Sequence, residues 1–254
     1  MAIARILCIG GSDSGGGAGI QADVKTITML GGYAMTAITA VTAQNTVAVS
    51  ATHRVPVDMV RAQIAAVASD IGVDAIKIGM LGSADAAAAV ADELAALDVP
   101  IVFDPVMVAT SGATLADQAT VRAMERLMRI ASLVTPNFPE LEALGGRDAV
   151  LAHGCHLLVK GGHGEGAVVV DELWSPRGLL QTAEGKRFDT SDTHGTGCTL
   201  ASAIACRLGQ GMPITQAFSD GVRFVRLALI EAPGLGAGHG PMGHHAVRDF
   251  WDDE

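Results

Sequence analysis

Short, uninterrupted apolar runs alternate along the chain with longer stretches whose apolar residues recur at helical spacing. The runs at 5–9, 37–42, 75–78, 101–103, 133–135, 157–159 and 167–170 read as strands. They lack the in–out alternation of a half-exposed sheet, as strands covered on both faces do. Ala-rich stretches at 57–70, 84–97 and 115–130 have helical periodicity, and two more helices, 198–208 and 214–231, follow the last strand. A further helix opens near Gly19 and carries Gln21 and Asp23. Strand–helix repetition of this kind predicts an α/β fold, a three-layer α/β/α sandwich around a mostly parallel sheet. No Pro/Gly/Ser-rich linker and no solenoid-length repeat interrupts the pattern, so residues 1–254 read as a single domain.

One stretch could mislead. From Thr26 to Thr52 there is no charged residue, and a bilayer span needs only about 20 apolar ones. Gly31-Gly32, Gln44, Asn45 and several threonines interrupt it, so it reads as a helix end, a turn and a buried strand. No membrane association is expected.

Composition narrows the picture. With 49% hydrophobic and 17% charged residues, disorder is excluded and a large core follows. Aromatics are only 4%, which leaves Ala, Val, Ile and Leu to build that core. Net charge is −10 without a Lys/Arg cluster, which argues against nucleic acid and anionic lipid as partners. Any polyanion bound here is therefore small and held locally by backbone groups. The four cysteines contain no C-x-x-C pair, as expected of reduced thiols in a cytoplasmic protein. The apolar run near the start stops at Gly10-Gly11, too soon for a signal peptide.

In an open parallel sheet, ligands sit outside the carboxyl ends of the strands. Those junctions are rich in polar residues: Gly10-Gly11-Ser12-Asp13, Gln44-Asn45, Gly79-Met80, Asp104-Pro105, Pro136-Asn137 and Lys160-Gly161-Gly162-His163. The sharpest motif is Asp192-Thr193-His194-Gly195-Thr196-Gly197-Cys198, directly before a helix. Gly195 and Gly197 flank Thr196 and let backbone N–H groups converge at a helix N-terminus, where phosphate is favoured. Cys198 lies in the first turn, where the helix dipole is expected to lower a thiol pKa from about 8.5. The plainer alternative is a Gly-rich loop beside a core cysteine.

Ser14-Gly15-Gly16-Gly17-Ala18-Gly19 loosely matches a dinucleotide fingerprint, but positions 36–46 lack the required acidic residue, which argues against a dehydrogenase. These glycines suit a backbone closing over a flat ligand. Asp104, Asn137 and Glu140 are hard oxygen donors suited to Mg²⁺; an Asn turn and a helix-start Glu are the plainer alternatives. Lys160 ends an apolar strand, where it could neutralise nucleotide phosphates. No P-loop pattern occurs anywhere. The amide of Gln44, just past a strand, would project into the cleft with a donor and an acceptor. Lys77 interrupts an apolar strand without an assignable role, and the histidines show no metal-ligand spacing.

Seven segments, at 10–23, 39–46, 77–81, 104–107, 135–140, 160–163 and 193–198, resemble in order the hydroxymethylpyrimidine/phosphomethylpyrimidine kinases of thiamine synthesis. The likeness spans essentially the whole chain. It implies a ribokinase-like fold, ATP and Mg²⁺, and a small pyrimidine substrate phosphorylated twice; a homodimer is expected, though the sequence itself does not fix the oligomeric state. It also implies that Gln44 reads the aminopyrimidine, with Gly11, Met80 and Asp23 at the substrate. Cys198 would be the base within the Gly195-Thr196-Gly197 cradle, and Lys160, Gly162 and Thr193 would hold the nucleotide. The family pattern has Lys at Thr110 and an acidic residue near Ala113, in a loop expected to cover the nucleotide. The connection from Gly145 to Cys155 looks shortened, without a peripheral helix. Pyridoxal/pyridoxine kinase on the same fold is the main alternative reading, and a non-catalytic pyrimidine-binding regulator the other.

Overall fold

Strand β1 (Arg5–Asp13) shows why the apolar runs do not alternate. Ile6 and Cys8 pack into one core cluster and Leu7 and Ile9 into another, and all four are fully buried. The sheet therefore has two dry faces, and each needs its own layer of helices. The computed structural model describes residues 3–108, 117–161, 166–248 and 250.

After β1 the chain runs α1 (Gly19–Met29), β2 (Tyr33–Gln44), β3 (Val49–Arg54), α2 (Val57–Asp70), β4 (Ala75–Ile78), α3 (Ala84–Leu94), β5 (Ile101–Phe103) and α4 (Gln118–Ile130). There follow β6 (Leu133–Val134), α5 (Phe138–Ala143), α6 (Arg147–Leu151), β7 (His156–Val159), β8 (Val168–Ser175), β9 (Gly178–Lys186), α7 (Thr196–Gly209) and α8 (Ile214–Ile230). Among the described residues one nine-stranded sheet has the order β3-β2-β1-β4-β5-β6-β7-β8-β9. The six strands from β2 to β7 pair in parallel, while β3, β8 and β9 join antiparallel at the edges. Helices α2, α3 and α4 cover one face; α1, α7 and α8 cover the other.

The predicted three-layer, mostly parallel architecture stands, with differences at its margins. The sequence pattern missed β3 and β9, because Ser50 to Arg54 are exposed and β9 alternates as an edge strand does. The connection after Gly145 is not bare: α6 forms there, one short turn anchored by buried Val150. Helix α7 starts at Thr196, two residues before the predicted start, so Thr196, Gly197 and Cys198 are its first turn. Thr110, Ala113 and Gly162 lie outside the described residues.

Strand β1 sits between β2 on one side and β4 on the other. Chain direction across the sheet reverses there, and the carboxyl ends splay around a crevice. Each of the six polar junctions of the sequence contributes at least one described residue to its lining.

Candidate active site

The crevice is a cavity of about 870 Å³, within the range of small-molecule sites. At its β1 end, Asp13 folds the Gly-rich loop around its own carboxylate. Oδ1 accepts the Gly15 N–H at 2.8 Å, and Oδ2 accepts those of Gly17 at 3.0 Å and Ala18 at 2.9 Å. Burial would raise this carboxyl, but His194 and the backbone N–H groups outweigh it and hold it below its usual range. Gly195 has φ 87° and lies so close to the Gly17 carbonyl that a Cβ would collide with it. The two glycine loops, far apart in sequence, therefore meet. Gly11 likewise leaves room for the Met80 methyl against the backbone, and both line the cavity with Gln44. The Gln44 backbone is pinned by Ser14 Oγ, which donates to its carbonyl at 2.7 Å and accepts its N–H at 2.8 Å.

On the far wall α7 begins at Thr196, preceded by Gly195 and with no side chain capping it, and Thr193, Thr196, Gly197 and Cys198 line the cavity. The Thr196 N–H turns back to the Thr193 carbonyl at 3.3 Å, and a helix N-terminus with no side-chain cap is the arrangement an anion cradle requires. Cys198 departs from expectation. Burial pushes its thiol up to about 11, and the pull of Lys77 and the Gly19 N–H only partly offsets that rise. The dipole does not win here because the thiol sits in low-dielectric surroundings with the carboxylates of Asp23 and Asp104 nearby.

Asp23 does not line the cavity. It is fully buried, its two oxygens 2.8 and 2.9 Å from Lys77 Nζ, with Ser202 Oγ donating to it at 2.7 Å. This corrects its reading as a substrate contact: the carboxylate is spent on neutralising a buried lysine beneath the site. Lys77 itself reaches the cavity wall.

Asp104 and Lys160 form the third group. Lys160 Nζ lies 2.8 Å from Asp104 Oδ1, which also accepts from Thr135 Oγ1 at 3.1 Å. Burial opposes the lysine's charge, but Asp104 and Glu140 more than restore it, and its pKa is raised. Glu140 is pushed up by burial and by Asp104, against the pull of Lys160. Asn137 and Glu140 are reciprocal caps of α5. Asn137 Oδ1 accepts the Glu140 N–H at 2.9 Å, and Glu140 Oε2 accepts that of Asn137 at 2.8 Å. Among the described residues no three His, Cys, Asp or Glu side chains gather as a metal cage.

The phosphomethylpyrimidine kinase family profile matches residues 13–243. A hydroxymethylpyrimidine/phosphomethylpyrimidine kinase of Rhizobium meliloti is 43% identical, covering 97% of this chain and 98% of that one. The chain belongs to the phosphomethylpyrimidine kinase family. It spans 52% of the bifunctional thiamine biosynthesis protein ThiED of Geobacter sulfurreducens, at 45% identity. Of the multifunctional ThiED of Corynebacterium efficiens, 40% identical, it spans 35%. In three dimensions it resembles a Bacillus subtilis pyridoxal kinase solved as an ADP complex, with TM-score 0.89, 31% identity, and coverage of 97% of this chain and 99% of that one.

For a member of this kinase family, sequence reasoning found most of the cavity wall and missed what lies behind it. Gln44, Gly11, Met80, Asp104, Asn137, Glu140, Lys160, Thr193 and Gly195 to Cys198 all line one cavity. The structural uses of Asp13, His194 and Lys77 went unread. Asp13 did leave a signal, since an Asp before a run of glycines favours a side-chain-to-backbone turn. Lys77 left another, a charge inside an apolar strand.

Proposed function

We propose that this chain moves the γ-phosphoryl of ATP onto the hydroxymethyl group of 4-amino-5-hydroxymethyl-2-methylpyrimidine. It then phosphorylates the monophosphate to the pyrophosphate, in thiamine biosynthesis. The observation that supports this most is the convergence on one cavity of the open α7 N-terminus, Lys160 with Asp104, and the Gln44 amide. In the first step the hydroxyl oxygen bonds to the γ-phosphorus, the bond from that phosphorus to the bridging oxygen breaks, and ADP leaves. The hydroxyl proton passes to Cys198 as thiolate. First-turn N–H groups of α7 hold the phosphoryl oxygens as charge shifts, and Lys160 and Thr193 hold the nucleotide phosphates.

Two buried carboxylates, Asp104 and Glu140, share one lysine, a charge balance that a divalent cation would complete. Mg²⁺ fits such a site, retaining waters and binding through one or two carboxylates and the phosphates. Bound there, it would neutralise phosphate charge. Asn137 would belong to that site through its hold on Glu140.

Phosphorylation of pyridoxal is the second reading, supported by the fold match to a pyridoxal kinase. The Gln44 amide favours the first, because a donor and an acceptor together complement the ring nitrogen and amine of an aminopyrimidine. A purely binding role has no use for a thiol beside an anion cradle. The cytoplasmic setting belongs to the proposal with the four free thiols as support. So does a homodimer, for which exposed Val41 and Val47 beside the edge strand β3 offer apolar surface. Among the described residues no helix is long and apolar enough to cross a membrane. A coupled assay of ADP release across a panel of hydroxymethyl heterocycles tests the reading. It predicts the highest kcat/KM for the aminopyrimidine, and a preference for pyridoxal would replace it.

A further inference from the structure

One face of helix α8 does not close fully on the sheet. Val222, Val225, Arg226 and Leu229 have the i, i+3, i+4, i+7 spacing of a buried stripe, yet all four line the cavity. Strand β8 contributes Val169 and Asp171, two residues apart on one side of the strand, to the same cavity. This apolar lobe therefore holds two charged groups that phosphoryl transfer leaves unused. Asp171 is held by half of its carboxylate: Oδ1 accepts the Gly161 N–H at 2.9 Å, next to Lys160. Among the described residues Oδ2 has no hydrogen-bond partner, and no buried side-chain oxygen is left unpaired, so Oδ2 opens to the cavity. Burial pushes this carboxyl up, and the Gly161 N–H, Arg226 and Lys160 offset only part of the rise. Arg226 reaches from α8 to β9, where a Cβ on Gly185 would collide with its guanidinium. Glycine there leaves the space that the guanidinium fills. Among the described residues no hydrogen bond ties that guanidinium up, and Asp171 acts on it through space.

We propose that Asp171 and Arg226 read the base of the phosphoryl donor, Asp171 Oδ2 accepting the 6-amino group of adenine and Arg226 donating to a ring nitrogen beside it. A carboxylate repels phosphate, so Asp171 suits an uncharged part of the nucleotide that carries a donor at its rim. The apolar side chains around it suit the faces of a flat ring. An acceptor and a donor side by side complement the amine and ring nitrogen of adenine. Hypoxanthine has an oxygen in place of that amine and would set two acceptors against each other.

This inference rests on ATP as the donor in the proposed function. It is tested by binding rather than turnover, so that absence of phosphoryl transfer would count against the proposed function alone. Calorimetry with Mg²⁺ present gives Kd for ADP, inosine diphosphate and pyrophosphate with the wild-type chain, Asp171→Asn and Gly185→Ala. The wild type should hold ADP about tenfold more tightly than inosine diphosphate. The two share ribose and phosphates, so a carboxylate that held the ribose instead would not tell them apart. In Asp171→Asn the amide oxygen keeps the Gly161 N–H while the amide nitrogen turns a donor to the cavity, and the preference for ADP should shrink to within about threefold. Gly185 has no positive φ, so Gly185→Ala acts by displacing Arg226 and should weaken ADP about tenfold. Pyrophosphate, which has no base, should bind all three proteins alike. Equal wild-type affinity for ADP and inosine diphosphate overturns the proposal. So does a common loss of all three ligands in Asp171→Asn, which would make Asp171 only a prop for Gly161 and Lys160. If thermal melting shows Asp171→Asn unfolded, the wild-type ratio and Gly185→Ala decide, and Gly185→Ala that binds ADP like wild type overturns the role of Arg226.

Discussion

At the residue scale Cys198 carries the most weight, and its chemistry runs against its position. A first-turn thiol is ordinarily more acidic than a free one, yet burial drives this one up to about 11. In the proposed reaction the thiolate takes the proton, so the competent fraction would grow as pH rises towards that value. kcat/KM for the hydroxymethyl substrate should therefore climb about tenfold per pH unit from roughly pH 7 to 9, without a plateau. Cys198→Ala should lose about 10²–10⁴ in turnover and flatten the climb. A wild-type rate independent of pH over that window contradicts the assignment. Beneath the thiol, Lys77 and Asp23 form an ion pair with side chains 1% and 0% exposed. Lys77→Met would strand a buried carboxylate, at a cost of about 3–5 kcal/mol, read from urea unfolding. Lys77→Met/Asp23→Asn should recover most of it, and a single variant as stable as wild type would show the pair to be energetically idle. Nothing in the sequence around Lys77 names its partner, which is 54 residues away. The charge was legible and the pairing was not, because contact between β4 and α1 is a property of the folded layers.

At the element scale, short α5 holds two roles at one N-terminus. The Asn137–Glu140 capping box fixes the turn, and the plainer structural reading of both residues is correct for their hydrogen bonds. Glu140 nevertheless lines the cavity beside Asp104, so capping does not exclude a cation there. Asn137→Ala should cost about 1 kcal/mol of stability through the lost cap. Asp104→Asn and Glu140→Gln should each raise the Mg²⁺ concentration for half-maximal rate. An unchanged Mg²⁺ titration in both carboxylate variants would exclude the cation site. Strands β4 and β5 were legible to the residue because they are apolar, but for Lys77 in β4, and are followed by polar junctions. Edge strands β3 and β9 were not, since a strand with one partner and an exposed face needs no apolar run. The earlier start of α7 also escaped the pattern: Gly195 and Gly197 look like loop until the N–H groups between them are seen to begin a helix.

For the whole molecule, the reversal of strand order at β1 makes the site. It places the ends of β1, β2 and β4 beside the Gly-rich loop and α7, so residues from both ends of the chain share one cavity. That a ligand sits outside the carboxyl ends of the strands was readable in advance, because the apolar runs dictate a parallel sheet covered on both faces; the strand order that puts the reversal at β1 was not. Closure between loops was not readable, since it depends on Gly17, Gly195 and His194 meeting across about 180 residues of sequence. The central claim is that this cavity phosphorylates a hydroxymethylpyrimidine and then its monophosphate. The most direct measurement is phosphorus NMR of one reaction containing the purified chain, ATP, Mg²⁺ and the hydroxymethylpyrimidine, followed over time. The account predicts a phosphomonoester signal that rises first and then gives way to the paired signals of a pyrophosphate ester, with ADP formed at each step. ATP left intact beside unreacted pyrimidine, while the same chain converts pyridoxal to its phosphate, would contradict it.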